Sequence, residues 1–454
     1  MKRLYVAAAT IATITTYLNY EIVAWIVTSI TTTLFPGVDS LSVRIFTIHV
    51  FYLTSLATIW IYTFFFVIYL YVKRIEVSYT DPRHYVPVSV IVPTYNEEEY
   101  VGACIRSIME QDYPKDMYEV IVVDDGSDDT TAIILRHLAE KYSNMRVIIH
   151  YENMGKAKAL EDGVRAARGD VIVFVDADTM LGRRDALRLL VNALYSQSEL
   201  GAVSGRIRVG GCKATLVEKL QELEFAHSFD IGRRVMSFMG WHIVLPGSFS
   251  AFKASLLKTL RELPSDTLTE DFDLSLMSVK RGFKTLHEQR ALAYTIPLDS
   301  LGKLYRQRLR WYYGGLQVLS KHRILLLNIR LYGMVGLMSF LYTLLVEYAL
   351  PFIQIAGFML LPTMMAFQSL TGYSLWGITL PLLPLVVAYL LLVLFQPLAG
   401  YFISVYVLCR EENKSILRSL PIALAYYTFY NMFLAVAKVD ATLRHMGEMV
   451  VRWR

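Results

Sequence analysis

The chain has 454 residues, 54% of them hydrophobic, and a formal charge of +5. Its mean hydropathy of +0.39 is too high for an ordinary soluble domain. The basic residues hug the apolar segments instead of forming a basic and aromatic stripe, which excludes a nucleic-acid-binding protein. Three scattered cysteines, Cys104, Cys212 and Cys409, exclude a disulfide framework and a zinc site.

Residues 4–34 and 45–72 are almost free of charge, and each exceeds the roughly 20 apolar residues needed to cross a bilayer core. Met1-Lys2-Arg3 could open a signal peptide. The apolar run behind it is too long for one, and a second run follows at once, so a permanent anchor is expected. Residues 331–361, 375–409 and 416–437 are similarly apolar. The expected organisation is two transmembrane helices in 1–73, an aqueous domain in 74–300, an interfacial helix in 301–330, and about three transmembrane helices in 331–454. Lys73, Arg74, Arg83, Lys321, Arg323, Arg330, Arg410, Lys414 and Arg418 flank the spans on one side. By the positive-inside rule the aqueous domain faces the cytoplasm of a multi-pass plasma-membrane protein. Lys438, Arg444, Arg452 and Arg454 fit poorly with an external tail, so the number of spans stays open. Within the third span, Glu347 reads equally as a channel-lining acid or a packed protonated one, and Pro351 is expected to kink the helix.

The aqueous domain alternates strands and helices. Strands are expected in the stretches 86–101, 118–131, 144–150 and 169–180, with helices after the first three; Ile105, Ile108 and Met109 share one helix face. Such alternation implies a parallel sheet covered on both faces, with ligands beyond the carboxyl ends of its strands. Polar residues collect at those ends: Pro93, Thr94, Tyr95 and Glu97; Asp124, Asp125 and Ser127; Gly155 and Lys156; Asp176 and Asp178. Tyr95 can stack on a base, Asp125 can accept hydrogen bonds from base or ribose, and Lys156 can meet a phosphate. Asp176 and Asp178 repel each other unless a cation or solvent relieves them, and their oxygens suit Mg2+ or Mn2+ with a diphosphate. Neither a P-loop nor a G-x-G-x-x-G run is present.

Four ordered motifs then carry a resemblance: "VDDGSDD" at 122–128, "DAD" at 176–178, "TED" at 269–271 and "QRLRW" at 307–311. Together with the flanking apolar spans they resemble the membrane-embedded family 2 glycosyltransferases, the group of hyaluronan, cellulose, chitin and poly-N-acetylglucosamine synthases. The resemblance implies an α/β GT-A fold, an inverting reaction, a UDP-sugar donor and a Mg2+ or Mn2+ cofactor. It implies that Asp178 contacts the metal and that Asp176 binds ribose or sugar. It makes Asp271 the catalytic base, with Glu270 beside it. Both acids also suit the first turn of a helix N-capped by Thr269. It places Gly247 and Ser248 in a small-residue turn beside the donor sugar. It gives Arg310 the departing diphosphate, and Trp311 and Gln307 the acceptor. Residues 301–330 also read as an amphipathic helix lying on membrane lipids with its Arg and Lys outward.

The resemblance favours a processive synthase that extends a β-linked polysaccharide at its non-reducing end and passes it across the membrane. The alternative is a glycolipid synthase adding one or a few sugars to a lipid acceptor. A transporter with a regulatory domain would need polar and broken spans throughout, which the sequence lacks. Neither an "FxVTxK" gating loop nor a PilZ-like domain is seen, so cellulose synthesis is not expected.

Overall fold

The computed structural model describes residues 2–54, 56–72, 85–211, 215–241, 244–260, 263–323, 328–371, 381–395, 397–410 and 413–449. Cys212, Lys73, Arg74, Arg83, Arg452 and Arg454 lie outside the described residues. The chain divides into two compact units, residues 1–75 with 342–446 and residues 76–341 with 447–454.

The second unit is built on one eight-stranded sheet. Its strands are β1 (Val88–Thr94), β2 (Tyr118–Asp124), β3 (Met145–Ile149), β4 (Val171–Val175), β5 (Thr179–Leu181), β6 (Leu200–Val209), β7 (Phe249–Lys253) and β8 (Lys284–Thr295). They lie in the order β3-β2-β1-β4-β7-β6-β8-β5. The first four are parallel, as the β-branched runs imply for strands buried on both faces. Alternate β1 side chains point to opposite faces. Val88, Val90 and Val92 join the core with Val101, Cys104, Ile105 and Ile108 of helix Val101–Met109. Ile91 joins the core with Ala159 and Leu160 of helix Lys156–Ala166.

The expectation of a wholly parallel sheet is corrected beyond β4. There β7 runs antiparallel between β4 and β6, β6 pairs parallel with β8, and β5 closes the edge antiparallel to β8. The reversal places the site. Thr94 pairs with Asp124, and Val175 pairs with Phe249, so the ends of β1, β2 and β4 and the beginning of β7 share one edge. The turn Pro246-Gly247-Ser248, which feeds β7, therefore reaches the same edge as Asp176.

The first unit is helical: Lys2–Leu34, Ser40–Thr54, Leu56–Val72, and the C-terminal helices from residue 343 onward. Among the described residues three helices are long and apolar enough to cross a membrane, Gly336–Met359, Val386–Arg410 and Ile416–Met446. Helix Lys2–Leu34 is long but rich in threonine, and its Thr10 and Thr13 hydroxyls return to the carbonyls of Val6 and Ala9. Glu347 is not solitary, because Lys438 Nζ lies 2.6 Å from its Oε2. It sits in a π-helical segment, Thr343–Ala349, just before Pro351. A proline ring crowds the carbonyl four residues back, and the wider π turn absorbs that clash.

Candidate active site

The loops after β1 and β2 form one hydrogen-bonded platform. Asn96, at φ 56°, donates from its N–H to Ser127 Oγ (2.9 Å), and its side chain accepts from the Asp128 N–H (3.0 Å). The Glu97 N–H donates to Thr131 Oγ1 at 2.9 Å. Gly126 has φ +75°, and a Cβ there would lie 2.7 Å from the Glu152 carbonyl carbon, so only glycine lets the third loop close over the second. Asp125 is 3% exposed. Its carboxylate accepts from the N–H groups of Met154 (2.9 Å) and Gly155 (2.8 Å) and contacts His150 Nδ1 at 2.8 Å. The structure thus gives Asp125 a loop-holding task as well as a place on the rim. Thr94 and Pro93 are buried at the end of β1, where the Thr94 carbonyl accepts from the Asp125 N–H at 2.8 Å. Tyr95 is half-buried beside them.

Acids crowd the end of β4. Lys156, in the first turn of its helix, reaches Asp176 Oδ1 at 2.6 Å and Glu270 Oε1 at 3.5 Å. Burial works against its charge, but Asp176, Glu270 and Asp271 outweigh that and hold the ammonium well above the ordinary lysine pKa. Burial and the charge of Asp176 push Asp178 up to about 6. Burial, then Asp178 and Asp176, push Glu97 up to about 8. Among the described residues no group of three His, Cys, Asp or Glu side chains is set to hold a metal by itself.

Glu270 and Asp271 open helix Glu270–Lys280. Thr269 occupies the N-cap position, but its hydroxyl caps nothing and is buried without a hydrogen-bond partner; the expected side-chain cap is corrected. The reason is close packing. Gly314 of helix Leu301–Lys321 approaches Thr269 so tightly that a Cβ on it would lie 2.8 Å from Thr269 Cγ2. Asp271 Oδ2 accepts from the Gly247 N–H at 2.9 Å. A Cβ on Gly247 would lie 3.3 Å from Lys156 Nζ and 3.5 Å from Asp271 Cβ, so the bare backbone brings turn, lysine and acid together. Ser248 lends its carbonyl to the Asp176 N–H at 3.4 Å. Burial lowers the Arg310 pKa, while Glu270, Asp271 and Asp176 favour its charged form.

The "QRLRW" run lies on helix Leu301–Lys321. Its Arg and Lys side chains are not all outward. Arg308 is 0% exposed and forms a two-pronged pair with Glu224, at 3.0 and 2.6 Å. Its guanidinium lies 4.1 Å from the Trp311 ring centroid and donates to Gln307 Oε1. Phe229 meets the Trp311 ring edge-on at 5.9 Å, and Arg233 covers Phe229 at 5.0 Å. Phe229 belongs to a π-helical segment, Phe225–Ile231, which re-aims side chains that an α-helix would point elsewhere.

The structure therefore brings Lys156, Asp176, Asp178, Glu97, Gly247, Ser248, Glu270, Asp271 and Arg310 to one edge of the sheet. Gln307 and Trp311 are tied to each other by Arg308, on the same helix as Arg310. The reading by sequence missed Glu224, Phe229, Arg233 and Arg308. Arg308 carried a signal, since it falls four residues after buried Leu304 and inside the helix's apolar stripe. Glu224 and Phe229 carried none.

Comparison with known proteins agrees with this geometry. Residues 84–314 match the family described as Glycosyltransferase like family 2. A poly-beta-1,6-N-acetyl-D-glucosamine synthase of Staphylococcus epidermidis is 31% identical over 234 residues, 52% of this chain and 56% of that protein. One from Staphylococcus aureus (strain COL) is 30% identical over the same shares. The chain thus spans about half the length of the curated relatives it matches. Among solved structures, the mannosyltransferase PcManGT from Pyrobaculum calidifontis, in complex with GDP-Man and Mn2+, has a TM-score of 0.59 and 23% identity. That likeness, over 85% of this chain and 95% of that one, is one of fold. The family match takes in just over half of the 454 residues, so the chain belongs to glycosyltransferase family 2 and its mixed sheet is a GT-A-type catalytic domain.

Proposed function

We propose that the protein is an inverting membrane glycosyltransferase. It transfers a sugar from a nucleoside-diphosphate donor, taken to be a UDP-sugar, to the non-reducing end of a growing β-linked polysaccharide. The observation that carries this reading is the seat of Asp271, where its carboxylate is anchored by the Gly247 N–H at 2.9 Å, beside the Lys156–Asp176 pair. In the reaction the acceptor hydroxyl oxygen attacks the anomeric carbon and gives its proton to Asp271. The bond from that carbon to the diphosphate oxygen breaks, and the nucleoside diphosphate leaves with the electron pair. Lys156 and Arg310 meet the charge that develops on it. Glu270 balances Lys156 and is the alternative base.

The donor set fits a hard divalent cation. Asp176, Asp178 and Glu97 offer only carboxylate oxygens; burial first and their mutual repulsion second raise Asp178 and Glu97, a cost that a bound cation would relieve. Mg2+ or Mn2+ would be held by Asp178 and would neutralise the diphosphate. Pro93, Thr94, Tyr95 and Asp125 cradle the nucleoside, and Gln307 and Trp311 support the acceptor. The positive flanks of the apolar segments support a position of this domain on the cytoplasmic face of the plasma membrane. The resemblance to poly-N-acetylglucosamine synthases supports a polymer product.

Purified full-length protein, incubated with UDP- and GDP-sugars, Mn2+ and membrane lipid, tests this. Release of one nucleoside diphosphate with a product of many sugars is expected. A product of one or two sugars that partitions into organic solvent would replace the polymer reading by the glycolipid one. No nucleotide release from any donor would overturn both.

A further inference from the structure

Arg233 is the cation at this site that the reaction described above leaves unused. It stands on helix Gly232–Met239, directly after the π-helical turn. Its neighbours Arg206, Arg208 and Arg234 converge on the buried Asp230, at 2.5, 3.4 and 2.6 Å. Among the described residues no carboxylate lies within salt-bridge distance of Arg233. Its recorded contact is the face of Phe229 at 5.0 Å, and Phe229 in turn meets Trp311. Burial lowers its pKa to about 10, and it remains charged at neutral pH.

The charges around Arg233 and Arg310 separate their tasks. Arg310 feels Glu270, Asp271 and Asp176, the acids on the donor side. Arg233 feels Asp271 and Asp230, and shares Asp271 alone with Arg310. Arg233 thus feels Asp271 while it packs on Phe229, the ring that meets Trp311. A half-buried guanidinium without a carboxylate is costly unless an anion arrives with the substrate.

We infer that Arg233 is an acceptor-binding residue that pairs with an anionic oxygen group, phosphate or carboxylate, carried by the acceptor close to its attacking hydroxyl. The inference rests on the reading of Asp271 as the base. It departs from a wholly neutral acceptor. Phe229 lies 5.0 Å from the guanidinium carbon, and a guanidinium can offer two parallel N–H donors, which match a carboxylate or a phosphate. Trp311 then receives the sugar ring of the same acceptor.

The test compares acceptors on the full chain in detergent, with one donor sugar. The probes are an N-acetylglucosamine linked to a polyprenyl diphosphate, an oligouronate and a neutral N-acetylglucosamine oligosaccharide. Wild type should favour one anionic probe over the neutral one in kcat/KM. Which of the two wins identifies lipid phosphate or acidic sugar. Arg233→Gln should cut that preference roughly 10–100-fold, the worth of a charge-assisted pair, and Arg233→Lys should restore part of it. The preference is a ratio on one preparation, so partial unfolding cancels. A wild type that prefers the neutral probe overturns the inference, as does a ratio unmoved by Arg233→Gln. Weakened nucleotide affinity in Arg233→Gln, equal to that in Arg310→Gln, would assign Arg233 to the donor and also overturn it. Absence of transfer to any probe, with no nucleotide release, would instead remove the transferase reading beneath it.

Discussion

Gly314→Ala probes the joint on which the base is mounted. Its new Cβ would lie 2.8 Å from Thr269 Cγ2, 2.9 Å from Oγ1 and 3.0 Å from the backbone nitrogen. Carbon contacts settle at about 3.5–4.0 Å, so the two helices must part by roughly 0.7–1 Å. The methyl can rotate, but the backbone nitrogen cannot yield. Asp271 follows Thr269 by two residues and moves with it. A misplacement of about 1 Å can cost on the order of 10²-fold in rate. Stability should change little, because overpacking costs about 1–3 kcal/mol while replacing a helical glycine by alanine returns about 1 kcal/mol. Nucleotide affinity should stay within about threefold, since Lys156, Asp178 and Asp125 keep their places and Arg310, on the helix of Gly314, is the one proposed donor contact that shifts. The expected signature is a transfer kcat lowered some 30–100-fold at nearly normal Tm and nucleotide Kd. Initial rates of nucleoside diphosphate release with saturating acceptor, thermal melts and nucleotide titration supply the three numbers. Thr269→Ser removes the closest methyl, so the double variant should recover part of the rate. A Gly314→Ala enzyme that transfers within about threefold of wild type would refute the idea that this contact sets the position of the base.

Asp271→Asn removes basicity with little change of shape, and kcat should fall about 10²–10⁴-fold with donor affinity kept; near-normal transfer would move the base to Glu270. EDTA should stop nucleotide release and added Mn2+ should restore it, and Asp178→Ala should abolish metal-dependent donor binding in titration calorimetry. Glu224→Ala strands the buried Arg308 and should cost about 3–5 kcal/mol, read as a lowered Tm, whereas a Glu224→Met, Arg308→Met pair should recover most of that stability. Trp311→Ala should lower elongation far more than donor hydrolysis, and proportional loss of both on equally folded protein would make Trp311 a structural prop only.

The cluster of polar strand ends proposed to hold the nucleotide was legible because its grammar is local. A β-branched run that ends in Asp124-Asp125 or Asp176-x-Asp178 states both the strand and its polar end within a few residues. The same holds for Lys156, which follows Gly155 at a helix start. The second half is not local. β7 is five residues long, and nothing in "FSAFK" says that it runs antiparallel to β4. Arg308 and Glu224 are 84 positions apart, so their pairing, and the support it gives Trp311, exists only after the helices pack. Thr269 shows the converse. Its position signalled an N-cap, and the tight approach of Gly314 overrode that propensity. Glu347 read as ambiguous for a similar reason, since its partner Lys438 comes from a helix about 90 residues later.

The antiparallel β7 explains why one edge can carry two kinds of chemistry. Parallel strands present their carboxyl ends together, and such ends gather loops that suit a nucleotide and its phosphates. A further parallel strand beside β4 would have brought another such end to this edge. Because β7 runs the other way, its amino end arrives there, and with it the bare backbone N–H of Gly247. That N–H fixes Asp271, whose helix is in turn gripped by Gly314. The acids proposed to bind the donor therefore sit on a rigid parallel sheet, whereas Asp271, the proposed base, sits on a turn and two helices. Changes in the sheet edge should act on nucleotide affinity, and changes at Gly247, Thr269 or Gly314 on the rate of transfer. That division follows from strand direction alone, and it is why a methyl group placed on Gly314 should slow the enzyme without loosening its donor.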